Sequence, residues 1–168
     1  MGNTSDKEEF LAVLQQFESL IYKVCNMYAS NTEDLKDLFQ EIILQAWTAY
    51  PRFRGESAVS TWLYRVALNT AITHQRKQKS RPDTTNCLPA DLKDNTHPAL
   101  TEEYKIMQQL IGQLPSLDKA LVLLYMEDRS HAEIADIMGI SVSNVGTKIA
   151  RIKERLRKKA EPYINDKK

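Results

Sequence analysis

Between Ser143 and Arg155 the chain sets out side chains able to read and hold a polyanion. Asn144, Thr147, Lys148, Arg151 and Arg155 recur at intervals of three and four, with Ser143 at their start. On a helix that spacing gathers them on one outer face. Amide and guanidinium groups can each pair with two atoms of an adenine or guanine edge. Lys153 and the basic residues that follow, to Lys159, supply charge for phosphates, which adds affinity without sequence preference.

Catalytic chemistry finds no such pattern. His74, His97 and His131 are scattered and form no metal-binding spacing, and no glycine-rich phosphate loop or nucleophile motif is present. Cys25 and Cys87 lie too far apart for a metal or redox pair. The chain is therefore expected not to be an enzyme and to need no metal or cofactor. Its start has no basic region leading into an apolar run, and no stretch approaches the roughly 18–20 apolar residues that span a bilayer. A cytoplasmic protein without membrane insertion is the expectation.

The elements that must carry the reading face are legible around it. Ser130-His131-Ala132-Glu133 is a capping box, in which serine and glutamate each satisfy an amide of the first helical turn. Ile134, Ala135 and Met138 form a short inward face, Gly139 supplies a permissive turn and Ile140 plugs the core. Ser141 or Ser143 then caps a second helix whose inner face is Val145, Ile149, Ile152 and Leu156. This is a helix-turn-helix, whose second helix enters the major groove. Charge agrees: Ser141–Lys168 holds nine basic and three acidic residues, against three basic and seven acidic over Ala99–Ile140, while the whole chain is only +1. Such asymmetry suits a polyanion at one end and a protein partner elsewhere.

Upstream, Phe10 to Tyr28 and Leu35 to Trp47 each keep the three-and-four rhythm of a buried helical stripe, and Pro51 stops the second. A third helix is expected over about 60–78, with Leu63, Val66, Ala67 and Ile72 inward. From Lys77 to Pro98 the chain turns polar, with Pro82, Pro89 and Pro98, and reads as a linker. Helical stripes resume with Tyr104, Met107, Leu110 and Ile111, then with Leu117, Ala120, Leu121, Leu124 and Tyr125. The expected fold is all-α: two small helical domains, 8–78 and 100–160, joined by a flexible linker over 79–99.

The segments Asp34–Trp47 (DLKDLFQEIILQAW), Phe53–Ser57 (FRGES) and Thr61–Asn69 (TWLYRVALN) resemble region 2 of bacterial sigma factors. Leu114-Pro115 and the hairpin 130–157 resemble region 4, and the order is that of the extracytoplasmic-function class. The resemblance implies that the helix at 34–47 docks on the clamp coiled coil of core RNA polymerase, through Asp34, Asp37, Gln40, Glu41 and Gln45. It implies that the loop holding Arg54, Gly55, Glu56 and Ser57, with Asn69 on the next helix, opens the minus-ten element of promoter DNA and pockets a base. Opening of this kind costs a few kcal/mol of unstacking. Arg65, Arg76 and Lys77 would follow the strand by charge. Trp62 and Tyr64 are offered as stacking groups, Trp62 more readily as core. The hairpin would read the minus-thirty-five element, and an anti-sigma protein is an implied partner. Where many members of the family carry Lys-Ser-Arg, this chain has Gly146-Thr147-Lys148, so their sequence preference does not transfer. Gly146 costs its helix about 1 kcal/mol relative to alanine.

A stand-alone regulator, with amino-terminal helices that bind a ligand or dimerise, is the alternative. It would bind paired half-sites tightly by itself. The linker argues against it. Relaxed, it averages only about 27 Å, whereas promoter elements two turns apart lie on the order of 70 Å from each other, a spacing for polymerase to impose.

Overall fold

The computed structural model describes residues 4–79 and 101–166. They fall in two compact units, Met1–Cys87 and Leu88–Lys168. The expected linker, from residue 80 onward, lies outside the described residues. All regular structure among the described residues is helical.

In the first unit, α1 (Thr4–Tyr28), α2 (Thr32–Ala49) and α3 (Val59–Lys79) each pack on the other two. Their stripes close one core, with Val24 and Cys25 from α1, Leu38 and Ile42 from α2, and Leu63, Ala67 and Ala71 from α3 fully buried. Asn31 starts α2 by accepting the Asp34 amide at 2.8 Å, a cap worth about 1 kcal/mol. Pro51 lies in a short 3-10 turn, Tyr50–Arg52, that carries the chain out of α2. Aromatic rings fasten this exit. Trp47 and Tyr50 lie 5.0 and 5.2 Å from Phe10, and Trp62 lies 6.0 Å from Tyr50 and 5.1 Å from Phe53. Such ring pairs contribute roughly 0.5–1.5 kcal/mol each beyond their burial. Val66 and Ile72, expected inward, are only half-buried, and Trp47 keeps its outer side exposed.

The second unit comprises α4 (Glu102–Gly112), α5 (Ser116–Met126), α6 (His131–Met138) and α7 (Val142–Asn165). The capping box forms in full, Ser130 Oγ accepting the Glu133 amide and Glu133 accepting the Ser130 amide, both at 3.1 Å. Gly139 ends α6 with φ of 69°, the left-handed conformation that a side chain disfavours. Ser141, not Ser143, caps α7 through the Asn144 amide at 3.1 Å. Val145, Ile149 and Ile152 of α7 are buried with Ile134, Ala135, Leu121 and Leu124. Ile137, rather than Met138, completes the buried face of α6.

Several residues of the apolar stripes stay outside this core: Tyr104, Met107, Leu117 and Tyr125 are between 43% and 59% exposed. Met107 and Tyr125, with Ile111, Val122, Met126 and Leu156, line a groove of about 280 Å³ between α4, α5 and α7. The periodicity identified the stripes correctly, but three short helices around α7 leave the stripes' outer rows without a facing element.

Candidate nucleic-acid and protein interfaces

Helix α7 is about 36 Å long at 1.5 Å per residue. Ser143, Asn144, Thr147, Lys148 and Arg151 are exposed on its first turns. Thr147 Oγ1 donates to the Ser143 carbonyl at 3.1 Å. The side chains of Lys148 and Arg151 make no hydrogen bond or ion pair among the described residues. Their charged heads are thus available to base edges and phosphates.

Two expected contacts differ. Lys153 stands about 160° around the helix from Arg151, at 100° per residue. Its Nζ donates to Tyr125 Oη at 2.6 Å and sits 4.1 Å above that ring. Lys153 therefore borders the α4–α5–α7 groove, with its charge turned away from the reading face. Arg155 keeps the right side of the helix, but its Nη1 reaches Asp118 Oδ2 on α5 at 3.4 Å. Arg157 is bound along the helix by Glu154 at 2.7 Å and Glu161 at 2.9 Å. Gly146 does not face outward with Lys148. A Cβ there would meet only the His131 ring of α6, at 3.7 Å, an ordinary contact. Neither space nor backbone conformation requires glycine at this position.

In the first unit the outer stripe of α2 is Asp37, Gln40 and Leu44, which fall within about 60° of one another. All are exposed, and Leu44 at 61% is an apolar group with no cover. Leu44 falls outside the three-and-four stripe of α2 and is not among the residues the resemblance assigns to docking. Its phase, seven residues beyond Asp37, was the available signal. Gln45 is exposed on the flank, and Glu41 is half-buried.

Asp34 is the main correction. It is 7% exposed and faces α3 instead of solvent. Its Oδ2 accepts from the Ser30 amide at 2.8 Å and the Ser30 hydroxyl at 3.1 Å. Its Oδ1 lies 2.6 Å from His74 Nε2 and also accepts from the Gln78 amide. Burial alone pushes the Asp34 carboxyl up, but the Ser30 amide, His74 and Gln78 outweigh it and hold it below the ordinary range. The same burial, with Asp34 nearby, pushes the Cys25 thiol up to about 12. Asp34 ties the turn before α2 to α3 and presents almost no surface to a partner.

The loop after α2 exposes Arg54, Gly55 and Glu56, with Ser57 half-buried. Gly55 has φ of 74°, so this loop turns through a glycine conformation. Asn69 and Arg76 are exposed and Arg65 half-exposed. With Trp62 they fall within about 60° on the outward side of α3. Lys77 is exposed a little over a quarter turn away. Tyr64 is 1% exposed and cannot stack on a base. Trp62 is the half-open aromatic, with Tyr50 and Phe53 beside it. The two aromatics thus exchange their expected places, because positions 62 and 64 differ by 200° of helix.

Residues 13–81 match the family profile for Sigma-70 region 2, and residues 104–156 that for Sigma-70, region 4. The ECF RNA polymerase sigma-E factor of Haemophilus influenzae is 32% identical over 173 aligned positions, covering 95% of this chain and 91% of that protein. The chain belongs to the extracytoplasmic-function (ECF) sigma factors. The RNA polymerase sigma-H factor of Pseudomonas aeruginosa is likewise 31% identical, covering 96% of this chain and 91% of its own. Among solved structures, CnrH in complex with the cytosolic domain of CnrY shares the fold at TM-score 0.69 and 18% identity, covering 96% of this chain and 91% of that chain. RpoE in complex with the anti-sigma factor NepR from Bartonella quintana does so at 0.70 and 19%, covering 93% and 96%. As an ECF sigma factor the chain directs RNA polymerase to promoters and is not an enzyme. Membership displaces the stand-alone regulator. No described helix is long and apolar enough to cross a membrane.

Proposed function

We propose that this sigma factor divides its work between a first domain over 8–78 and a second over 100–160. In the first, the Asp37–Gln40–Leu44 stripe, flanked by Glu41 and Gln45, docks on the clamp coiled coil of core polymerase. An exposed leucine ringed by amide and carboxylate groups suits a helical partner with basic and apolar side chains. The loop 54–57 with Asn69 receives a base of the minus-ten element, Trp62 stacks beside it, and Arg65, Arg76 and Lys77 follow the strand. In the second domain, Ser143, Asn144, Thr147, Lys148 and Arg151 read the minus-thirty-five element, with Arg155 at its edge. The observation that carries this reading is the shared phase of Trp62, Arg65, Asn69 and Arg76 on α3. A stacking ring, a two-way hydrogen-bonding amide and two cations in one row are what single-stranded DNA needs.

Since the sigma factor RpoE of similar fold is bound by the anti-sigma factor NepR, an anti-sigma protein is the proposed regulator here too. The apolar groove of the second unit, with Lys153 at its rim, suits an apolar helix carrying an acid from such a partner. The chain would work in the cytoplasm, where polymerase is.

Permanganate footprinting with holoenzyme tests the minus-ten assignment. Asn69→Ala and Trp62→Ala are expected to lower thymine reactivity in the opened region while binding to core polymerase is kept. Wild-type reactivity in both variants would overturn it.

A further inference from the structure

His74 stands where the docking helix and the melting helix of the first unit meet. It lies on α3, five residues after Asn69 and two before Arg76. Its Nε2 is 2.6 Å from Asp34 Oδ1, and its Nδ1 is 3.8 Å from Glu41 Oε2. Both carboxylates belong to α2, seven residues apart, so the ring spans two turns of that helix. Gln78, one turn further along α3, lies 3.2 Å from the same Nε2 and also donates to Asp34.

The two carboxylates are not equivalent. Asp34 is closed in, its side chain 6% exposed and supplied by Ser30, His74 and Gln78. Glu41 is 41% exposed, and His74 is its only ion-pair partner among the described residues. One end of the bridge is therefore anchored in the core, and the other reaches the flank of the proposed polymerase-docking stripe. In its imidazolium form the ring carries two diverging N–H donors, one on Asp34 and one facing Glu41 across 3.8 Å as a charge contact.

We propose that His74 is a positioning residue that sets the melting helix relative to the docking helix, so that a holoenzyme docked through α2 presents Asn69 and Arg76 in register with the displaced strand. The inference rests on α2 being the docking surface. It assigns His74 no contact with DNA or polymerase. Its contribution appears after docking, when α3 must hold a strand whose path polymerase has fixed. A misplacement of that helix by even about 1 Å is costly when the groups it carries must meet a ligand in one geometry.

The test separates binding from opening in the full chain. Core binding would be measured by titration, and the opening rate at saturating holoenzyme by fluorescence of a labelled minus-ten base. His74→Gln, which has one short amide in place of a two-ended ring, is expected to bind core within about twofold of wild type. It should open promoters about tenfold more slowly, the scale of one lost charge-assisted contact. His74→Arg is expected to restore most of that rate, because a guanidinium donates to two carboxylates together. Glutamine retaining the rate while arginine loses it would point to packing and overturn the proposal, as would unchanged opening in His74→Gln. Glu41→Gln leaves the Asp34 network intact and is expected to slow opening at saturation. The double variant should be no slower than His74→Gln, and multiplied defects would also overturn the proposal. If Glu41→Gln, Gln40→Ala and Leu44→Ala all bind core normally, the docking reading itself fails. If they weaken binding but His74→Gln opens normally, docking stands and the positioning role falls.

Discussion

Replacing Asp34 by alanine distinguishes a residue that holds the first unit together from one that waits for polymerase. The substitution takes an acceptor from the Ser30 amide and hydroxyl, the His74 ring and the Gln78 amide, all partly buried. A hydrogen bond to a charged group contributes about 1.5–3 kcal/mol. Water can reach some of the abandoned donors, so a net loss of about 3 kcal/mol is expected. For a unit of this size that lowers the midpoint by more than about 10 °C. Both tryptophans, Trp47 and Trp62, lie in the first unit, so their fluorescence during urea or thermal unfolding reports it alone. The effect depends on pH in a defined direction. A carboxyl held below its ordinary value of about 3.9 stabilises fully above that value. The contribution disappears as pH falls through the lower folded value. The gap between wild type and Asp34→Ala should thus be full at pH 7 and shrink in strong acid. A loss under about 1 kcal/mol, together with abolished polymerase binding, would refute the reasoning and return Asp34 to the docking surface.

Gly146→Ala should stabilise the second unit by about 1 kcal/mol, read from its helical unfolding transition, since the new methyl meets only the His131 ring at 3.7 Å. Destabilisation would mean that α6 and α7 pack more closely there than described. Cys25 should resist thiol reagents in the native Cys87→Ser protein and react only on unfolding, because burial pushes its thiol up to about 12. Rapid native labelling would contradict that burial. Lys148→Ala and Arg151→Ala are each expected to cost about 1–3 kcal/mol of minus-thirty-five discrimination in competition assays, whereas Lys153→Ala should cost little. Equal losses at all three positions would give Lys153 a DNA contact despite its bond to Tyr125.

The helix-turn-helix was legible because its signals are local. Ser130, Glu133, Gly139 and Ser141 act on their own turns, and each stands where the periodicity put it. Asp34 was not, because an acid in a helix's first turn looks alike whether it meets water or a buried ring. Its partners His74 and Gln78 lie 40 and 44 residues away. Lys153 and Tyr64 failed for another reason. Each was assigned by residue type, charge in one case and aromatic surface in the other. Helical phase puts the first beside Tyr125 and the second in the core. The core reading of Trp62 rests on residue type in the same way, whereas Leu44 lies off the apolar stripe and an exposed leucine has no signature beyond that.

Run-off transcription by core polymerase on a promoter library, with and without this chain, bears most directly on the central claim that it directs initiation through two DNA contacts. Its addition is expected to yield transcripts from a discrete promoter set sharing two spaced elements, with Lys148→Ala/Arg151→Ala impairing use of the upstream element and Asn69→Ala that of the downstream one. Transcripts no different from those of core polymerase alone would contradict the account.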